Sequence, residues 1–147
     1  MTLMLKGYIY KHTLRESNKI YIGQTTQPVQ QRWGVDGANY KSNRAFYRDI
    51  LKYGWEAFDH EILEIVEAPD KQTLKTALNK TENAYIILCK SMLFKYGYNT
   101  AIKDKRLSTS AKRSVTLYMS QGMTFDEAYK TYKQKKLRRR SKHGRRK

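Results

Sequence analysis

Two segments near the start of the chain are rich in tyrosine and isoleucine and are separated by a polar, turn-forming stretch. They are Gly7–Lys11 and Lys19–Gly23. Aromatic and β-branched residues on both sides of such a stretch predict a β-hairpin. In a register that pairs Lys11 with Ile20, Tyr10 lies opposite Tyr21, and both rings leave the sheet on the same face.

A short first helix is predicted directly after the hairpin. Pro28 favours its first turn, and Thr25 or Thr26 is placed to cap it. The helix carries Arg32, and Gly34 stops it soon afterwards. The pattern therefore predicts that an arginine follows the hairpin on a helix of only a few residues.

A second helix and a third strand follow. The helix is predicted over about 43–53 by an apolar stripe at helical spacing, and Gly54 is its C-terminal stop. The stripe consists of Phe46, Ile50 and Tyr53. Phe58–Val66 then contains an apolar run that is typical of a buried strand. The run consists of Ile62, Leu63, Ile65 and Val66.

A long third helix is predicted from its cap, Asp70, to about Met92. One face of this helix is apolar at helical spacing, with a single exception. The face consists of Leu74, Leu78, Glu82, Tyr85, Ile86 and Cys89. The exception is Glu82, since an unpaired carboxylate is costly to bury on an apolar face.

The last part of the chain has a different composition. A charged linker, Lys103–Leu107, precedes two amphipathic patterns joined by a glycine-containing turn. Thr124 and Glu127 have the spacing of a capping box at the start of the second pattern. Such a pair is typical of a helix-turn-helix. Beyond Leu137 the chain has no apolar residue to pack, so we expect it to be disordered without a partner.

These elements predict a fold of the α/β class, of the α+β type. A small mixed β-sheet flanked by helices is expected in residues 1–100. A linker and a helical pair are expected in residues 101–136, and a disordered basic tail in residues 137–147.

The net charge is strongly positive and unevenly distributed. Its formal value is +17. Residues 130–147 carry eleven Lys or Arg and no Asp or Glu, whereas residues 1–129 carry nineteen basic and thirteen acidic side chains. A surplus of this size favours a polyanionic partner, whether DNA, RNA or an acidic membrane surface. The position of this surplus in residues 130–147 predicts a basic arm attached to a less basic domain.

Several other classes of protein are disfavoured. Cys89 is alone in the sequence, so no intramolecular disulfide can form, and the three histidines show no zinc-ligand spacing around it. No apolar run is long enough for a membrane span or a signal peptide. We therefore expect a cytoplasmic protein without a membrane partner.

Five short motifs occur in order between residues 7 and 99. They are Tyr8-Ile9-Tyr10, Tyr21-Ile22-Gly23 with Gln24-Thr25, Arg32-Trp33, Glu82-Asn83-Ala84-Tyr85-Ile86 and Gly97-Tyr98-Asn99. The set resembles the signature of the GIY-YIG nucleases, and residues 34–55 look most like phage-borne homing-type members. Each motif alone is better explained as ordinary strand or helix residues, but the ordered set is far more specific.

The resemblance implies a metal-dependent DNA endonuclease that hydrolyses phosphodiester bonds. Glu82 would hold one divalent cation, Mg²⁺ or Mn²⁺, and the planar guanidinium of Arg32 would bind the scissile phosphate. Tyr10 would orient or deprotonate the attacking water with support from Tyr21, and Asn99 would brace the site. A phenol has a pKa of about 10, so the role of Tyr10 requires a neighbouring positive charge.

Double-stranded DNA is the partner that this resemblance implies, with no small-molecule cofactor. Tyr40 and Lys41 are candidate DNA contacts in the loop after the first helix. The candidates in the basic tail are Arg138, Arg139, Arg140, Lys142, Arg145 and Arg146. A basic run of this kind binds phosphates without sequence preference.

Two departures from the family's pattern leave alternatives open. Tyr8 stands where the family usually has glycine, and Asp36 stands one turn after the arginine, where many members have His or Tyr. Tyr40 or Lys41 is placed to substitute for that group. The main alternative is a non-cleaving nucleic-acid-binding protein that keeps the fold. An RNA- or ribosome-associated protein would leave the motifs unexplained, whereas a restriction or repair nuclease fits the chemistry as well as a homing enzyme.

Overall fold

Three strands form the centre of the N-terminal part of the chain. They are β1 (Leu5–Leu14), β2 (Ile20–Thr25) and β3 (Phe58–Ala68), in the order β2-β1-β3. This computed structural model describes residues 3–144. Both strand pairs are antiparallel, and one isolated parallel bridge joins Ile20 to Gly97. The predicted fold class is therefore confirmed, although the sheet itself is antiparallel rather than mixed.

The register of the hairpin differs from the predicted one by two residues. Lys11 pairs with Ile22, so Tyr10 lies opposite Gly23 and Tyr21 lies opposite His12. The predicted pairing was wrong. The predicted placement of both tyrosine rings on one face is still correct. Side chains alternate with a period of two, so a shift of two residues keeps every side chain on its face. Tyr10 and Tyr21 therefore share one face as diagonal neighbours.

Three helices accompany the sheet, α1 (Val29–Trp33), α2 (Arg44–Tyr53) and α3 (Lys71–Cys89). Asp70 caps α3 as predicted, since its side chain accepts from the backbone N–H of Thr73, and the side chain of Asn43 caps α2 by accepting from the N–H of Phe46. The predicted threonine cap of α1 was wrong. Thr25 instead accepts from the N–H of Gln27 at 3.0 Å in the turn before Pro28.

One hydrophobic core cluster lies around Tyr10 and is mostly aromatic. Its buried members are Tyr10, Leu14, Val29, Tyr40, Phe46, Ile50, Phe58 and Tyr98. Helix α3 packs on the strands through Leu78, whose side chain fills the space beside Gly7 of β1. Strand β3 departs from prediction, because Ile62 and Ile65 are 45% and 56% exposed. It pairs only with β1 and lies at the edge of the sheet, so its apolar run is not covered on both faces.

Contacts divide the chain into two compact units, one ending at Thr100 and the other beginning at Ala101. In the second unit, α4 (Thr109–Ser120) packs against α5 (Phe125–Gly144). The predicted capping box of α5 is confirmed, since Thr124 and Glu127 each accept from the other's backbone N–H at 3.3 Å. No helix in the described part of the chain is long and apolar enough to cross a membrane.

The basic end of the chain differs from its prediction. A disordered tail was expected from residue 137, yet α5 continues through the described residues to Gly144. Lysine, arginine and glutamine are good helix formers, so a run of them extends a helix that has already started. Asp126 and Glu127 in its first turn also favour the helix through its dipole.

Candidate active site

Tyr10 lies within β1, and its side chain is fully buried. Its cross-strand partner is Gly23, where a Cβ atom would lie 2.5 Å from the tyrosine hydroxyl. The ring of Tyr10 therefore requires the glycine of the second motif, because any side chain there would occupy the same space. The β1–β3 register also shifts between Ile9 and Tyr10, and such irregularities re-aim side chains near functional sites.

The hydroxyl of Tyr10 is buried and makes no well-formed hydrogen bond with any group in residues 3–144. Burial raises the pKa of Tyr10 above the usual tyrosine value, and the charge of Glu82 adds to the rise. Hydrogen-bonding influence from Tyr40 and the charge of Arg32 oppose it. A buried hydroxyl with unused bonding capacity, beside a cation, is suited to hold a water.

Tyr21 lies on β2, half-buried, on the same face as Tyr10. Its ring stacks on Phe46, with centroids 4.8 Å apart and planes 6° from parallel. Burial raises the pKa of Tyr21, the nearby Tyr10 raises it further, and Arg32 lowers it. The two tyrosines of the motifs are therefore close enough for Tyr10 to influence the ionisation of Tyr21.

Arg32 lies near the end of α1, half-buried, with its guanidinium carbon 4.8 Å from the ring centroid of Tyr40. This is cation–π geometry. Burial lowers the pKa of Arg32, but Tyr10, Tyr40 and Tyr21 outweigh it and hold the pKa above the usual arginine value. A permanent positive charge is thus held among three phenols.

Glu82 lies on α3 with only 3% of its surface exposed. Its charge raises the pKa of both Tyr10 and Tyr21, so it belongs to the same electrostatic neighbourhood. Within the described residues no group of three or more His, Cys, Asp or Glu side chains is placed to hold a metal. A divalent ion at Glu82 would therefore have fewer than three such side chains as ligands among the described residues, which suits Mg²⁺ because that ion keeps most of its waters.

Asn99 acts on the backbone of β2. Its amide nitrogen donates to the carbonyl of Ile22, and its amide oxygen accepts from the N–H of Ile22, both at 2.8 Å. Gly97 and Tyr98 lie beside the same strand through the bridge at Ile20. Both polar ends of Asn99 are used in this way, so it holds the strand that carries Tyr21.

Tyr40 and Lys41 have opposite environments. Tyr40 is 1% exposed and belongs to the aromatic core, so it is too deeply buried for the direct DNA contact expected from the sequence. Lys41 is exposed. Asp36, also exposed, does not continue α1, because that helix ends at Trp33 and Asp36 has a φ of 53°. Of these residues, the structure brings only Tyr40 to Tyr10 and Arg32.

Two histidines in this region had no role in the sequence prediction. His12, fully buried, bonds through Nε2 to the Tyr40 hydroxyl and through Nδ1 to Nδ1 of His60, both at 2.8 Å. Nε2 of His60 lies 3.3 Å from the backbone oxygen of Trp55. One signal in the sequence could have indicated His12. Side chains alternate along a strand, and His12 follows Tyr10 by two residues, so both lie on the same face.

A second feature missed from the sequence is a row of exposed cations on α2, the α2 basic face, defined by Arg44, Arg48 and Lys52. Their spacing of four residues places them in line along one side of the helix. Together with Lys41 they border a shallow depression of about 500 Å³. This arrangement suits an extended anion.

The basic residues of α5 are exposed where the structure describes their side chains. They include Arg138, Arg139, Arg140 and Lys142, the predicted nucleic-acid contacts whose side chains are described. Arg145 and Arg146, also predicted to contact nucleic acid, lie outside the described residues. These side chains share no arrangement beyond that of the helix, so what they offer a polyanion is positive charge.

No protein-family model matches the chain, and no curated protein matches it significantly. Among solved structures, the chain is similar to the catalytic domain of intron endonuclease I-TevI, determined as a variant with one Glu-to-Ala substitution. The TM-score is 0.52 with 26% sequence identity, and the match covers 67% of this chain and 97% of that one. The fold matches that of an endonuclease catalytic domain, and the resemblance to the GIY-YIG nucleases predicted from the motifs is confirmed.

Proposed function

We propose that this protein is a divalent-metal-dependent endonuclease that hydrolyses phosphodiester bonds in double-stranded DNA. The observation that carries the proposal is the grouping of Tyr10, Tyr21, Arg32 and Glu82 in one electrostatic neighbourhood. These residues come from two strands and two helices. The similar catalytic domain of an intron endonuclease supports the same chemistry.

Arg32 binds the scissile phosphate in this proposal. Its guanidinium is half-buried and held over Tyr40, so it is oriented before substrate arrives. A planar guanidinium offers parallel N–H groups to two phosphate oxygens, and its charge stabilises the extra negative charge of the pentacovalent centre. Charge stabilisation of this kind is often the largest single contribution to catalysis.

Glu82 holds the cation. When bound, Mg²⁺ or Mn²⁺ acts as a Lewis acid at the phosphate and lowers the pKa of a bound water. The residues present fit such an ion for an electrostatic reason. Glu82 raises the pKa of Tyr10 and Tyr21 through its negative charge, and a cation on the carboxylate would cancel that effect.

Tyr10 orients the attacking water. Its hydroxyl is buried and has unused bonding capacity, and the charge of Arg32 acts to lower its pKa. The neutral phenol oxygen accepts a hydrogen bond from the water as the water oxygen attacks phosphorus and the bond to the leaving oxygen breaks. The proton that the water loses passes to solvent, and solvent returns one to the leaving oxygen. Tyr21 supports Tyr10 from the neighbouring strand, and Asn99 holds that strand in place.

Binding of the DNA backbone is assigned to exposed cations on both units. On the first unit these are Lys41 and the α2 basic face, and on the second they are the arginines and lysines of α5. Contacts of this type neutralise phosphates and release counterions, so they contribute affinity without sequence preference. Arg145 and Arg146 extend the same charge run.

The biological role that we propose is homing or another mobile-element function, in the cytoplasm or nucleoid of a host cell. Support comes from the resemblance of residues 34–55 to phage-borne homing-type members and from the similar intron endonuclease domain. A restriction or repair nuclease would use the same chemistry, so the role depends on which DNA the protein cuts.

The proposal is tested with supercoiled plasmid DNA, Mg²⁺ or Mn²⁺, and chelator controls. We expect metal-dependent nicking or linearisation by the wild type and none by Glu82→Ala, with DNA affinity largely kept. Glu67→Ala is the matched control, because Glu67 is a half-exposed carboxylate in a surface ion pair with Lys6 and should leave cleavage unchanged. Full turnover by Glu82→Ala in Mg²⁺ would refute the assignment of the metal.

A non-cleaving DNA-binding protein is the second candidate function. The observation in its favour is that exposed Asp36 replaces the His or Tyr that many members of the family place after the arginine. The same plasmid assay separates the two functions. Binding with no cleavage in Mg²⁺ or Mn²⁺ would favour the binder.

A further inference from the structure

A continuous hydrogen-bonded chain leads from the active site toward the edge of the sheet, the Tyr40–His12–His60 chain. The Tyr40 hydroxyl bonds to Nε2 of His12, Nδ1 of His12 bonds to Nδ1 of His60, and Nε2 of His60 faces the Trp55 carbonyl. His12 is fully buried and Tyr40 nearly so, whereas His60 is half-buried. Every nitrogen of the two rings therefore has a partner.

The partner at the far end fixes the direction of the whole chain. A backbone carbonyl only accepts hydrogen bonds, so Nε2 of His60 must carry a proton. Burial lowers the pKa of His60, so at neutral pH its other nitrogen is a bare acceptor. Nδ1 of His12 must then be the donor between the rings. His12 is neutral as well, which leaves its Nε2 to accept from the hydroxyl of Tyr40.

This direction determines what Tyr40 presents to the active site. Its proton points at His12, so its oxygen offers only lone pairs to neighbours on the other side. The neighbour with unused bonding capacity is the Tyr10 hydroxyl, which lies in the same buried core cluster as Tyr40 and raises the pKa of Tyr40. A Tyr10 proton directed at Tyr40 leaves the lone pairs of Tyr10 free to accept from a water.

The geometry points to a catalytic positioning role for His12, His60 and Tyr40: they orient the Tyr10 hydroxyl as a hydrogen-bond acceptor for the attacking water. This inference rests on the proposed nuclease function. Tyr40 would thereby take the place of the missing His or Tyr after Arg32. The hydrogen-bond acceptor at the site is then the Tyr40 oxygen rather than a residue on the next turn of α1.

The free-energy cost of burying polar side chains supports a functional role for His12 and His60. An apolar residue at position 12 would fill the core without any polar group to satisfy, whereas an imidazole there needs two partners that come from distant segments. Polar groups in such a network are costly unless all are satisfied. The rings are also enclosed by aromatic neighbours, with Trp33 and Trp55 each centred 4.8 Å from His12, so they have little freedom to reorient.

The direction of the chain is measurable without any activity. NMR spectra of the isotope-labelled imidazole nitrogens, recorded on the whole protein at neutral pH, should show His12 protonated on Nδ1 and His60 protonated on Nε2. Assignment uses His12→Leu and His60→Gln. The opposite tautomer at His12, or a doubly protonated His60, would make Tyr40 an acceptor from His12 and would overturn the inference.

The catalytic consequence is tested by a double-mutant cycle of His12→Leu and Tyr40→Phe. Each variant should lower kcat by about 10–100-fold with KM unchanged, which is the usual cost of losing an orienting partner. The double variant should be no slower than either single one, because the residues act as a unit. Tyr98→Phe is the matched control: it removes a buried hydroxyl that donates to Asp49 at 2.7 Å, outside the chain, and should leave kcat unchanged.

The outcomes separate this inference from the proposed function. Additive losses in the cycle, or losses in KM with unchanged kcat, would show that the chain has a structural role only. Equal losses in Tyr98→Phe would show the same, and thermal unfolding of each variant identifies any that fail to fold. A wild-type protein that binds DNA without cutting it would refute the proposed function and the catalytic role together, whereas the tautomers would still decide the direction of the chain.

Discussion

The two units of the chain place their polar groups in opposite ways. In the first unit the candidate chemistry is buried, since Tyr10, His12 and Tyr40 are almost inaccessible and Glu82 is 3% exposed. In the second unit the basic residues of α5 are exposed where their side chains are described, and the buried residues there are apolar side chains such as Val115 with the uncharged Thr116 and Ser120. Burial fixes geometry and shifts ionisation, so it suits catalysis. Exposed charge supplies affinity without geometry.

The largest expected effect is on the cleavage rate, and it tests whether the buried residues of the first unit carry the chemistry. Arg32→Ala and Tyr10→Phe should each lower the cleavage rate on the order of 10²–10³-fold with little loss of DNA affinity, because each removes a positioned group from the reacting centre. Arg32→Lys should not restore the rate fully, since an ammonium lacks the two-pronged contact. Single-turnover cleavage measures the rate, and fluorescence anisotropy measures binding.

Arg48→Ala is the matched control for Arg32→Ala. Arg48 belongs to the α2 basic face and is exposed, so its removal should weaken binding modestly and leave the rate at saturating DNA unchanged. If both site variants cleaved at nearly the wild-type rate, the active site would lie elsewhere.

Removal of residues 138–147 should have the next largest effect, on binding to DNA of any sequence. The segment carries seven Lys or Arg. Each phosphate that a basic side chain neutralises contributes a slope of about −0.9 in log K against log salt, so several units of slope should disappear. Thermal stability should change little, because the described side chains of residues 138–142 are exposed. Anisotropy across a salt series decides it, and an unchanged slope would contradict the binding role.

The buried histidine predicts a pH dependence of stability in the first unit. Burial, followed by the charges of His60 and Arg32, lowers the pKa of His12 to about 2. Below the unfolded-state pKa of about 6.5, the unfolded chain binds a proton there that the folded chain does not. Stability is therefore present above that pH and falls as pH is lowered, by about 1.4 kcal/mol per pH unit for each such proton.

Denaturant unfolding at pH 7 and pH 5 measures this slope. The free energy of unfolding of His12→Leu should fall less steeply with decreasing pH than that of the wild type, and the difference in slope should correspond to about one proton. The comparison between variants removes the contribution of general charge repulsion, which both share. Identical slopes would mean that His12 titrates normally in the folded protein.

The smallest expected effect concerns the second unit. Thr124→Ala removes the hydroxyl that accepts from the Glu127 N–H, and such cap losses typically cost about 1 kcal/mol. The unfolding of α4 and α5 should shift, while the cleavage rate at saturating DNA stays the same. Circular dichroism and the cleavage assay together test this, and a lower rate would show that the units are not independent in function.

Local signals explain why so much of the fold was predictable from sequence. Helices α2 and α3 each have an apolar stripe, and α3 also has the cap, Asp70, which forms as expected. The site residues followed from the order of motifs rather than from any local rule. The shared face of Tyr10 and Tyr21 was also predictable. Side chains alternate with a period of two, so a register that is wrong by two residues still places both rings on the correct face.

Contacts between distant residues explain what the sequence did not predict. His12 and His60 are 48 residues apart, and their hydrogen bond depends on the pairing of β1 with β3. The exposure of Ile62 depends on β3 being an edge strand, which is a property of topology. The length of α5 was missed because a basic run was treated as disordered, although its residues favour helix once a cap has started it.

The most direct test of the division between buried chemistry and exposed charge is to measure cleavage rate at saturating DNA and DNA affinity side by side, for Arg32→Ala and for the chain lacking residues 138–147. We predict a large loss of rate with retained affinity for the first, and a large loss of affinity with retained rate for the second. A deletion that abolishes the rate at saturating DNA, or an Arg32→Ala variant that loses affinity instead of rate, would contradict the account.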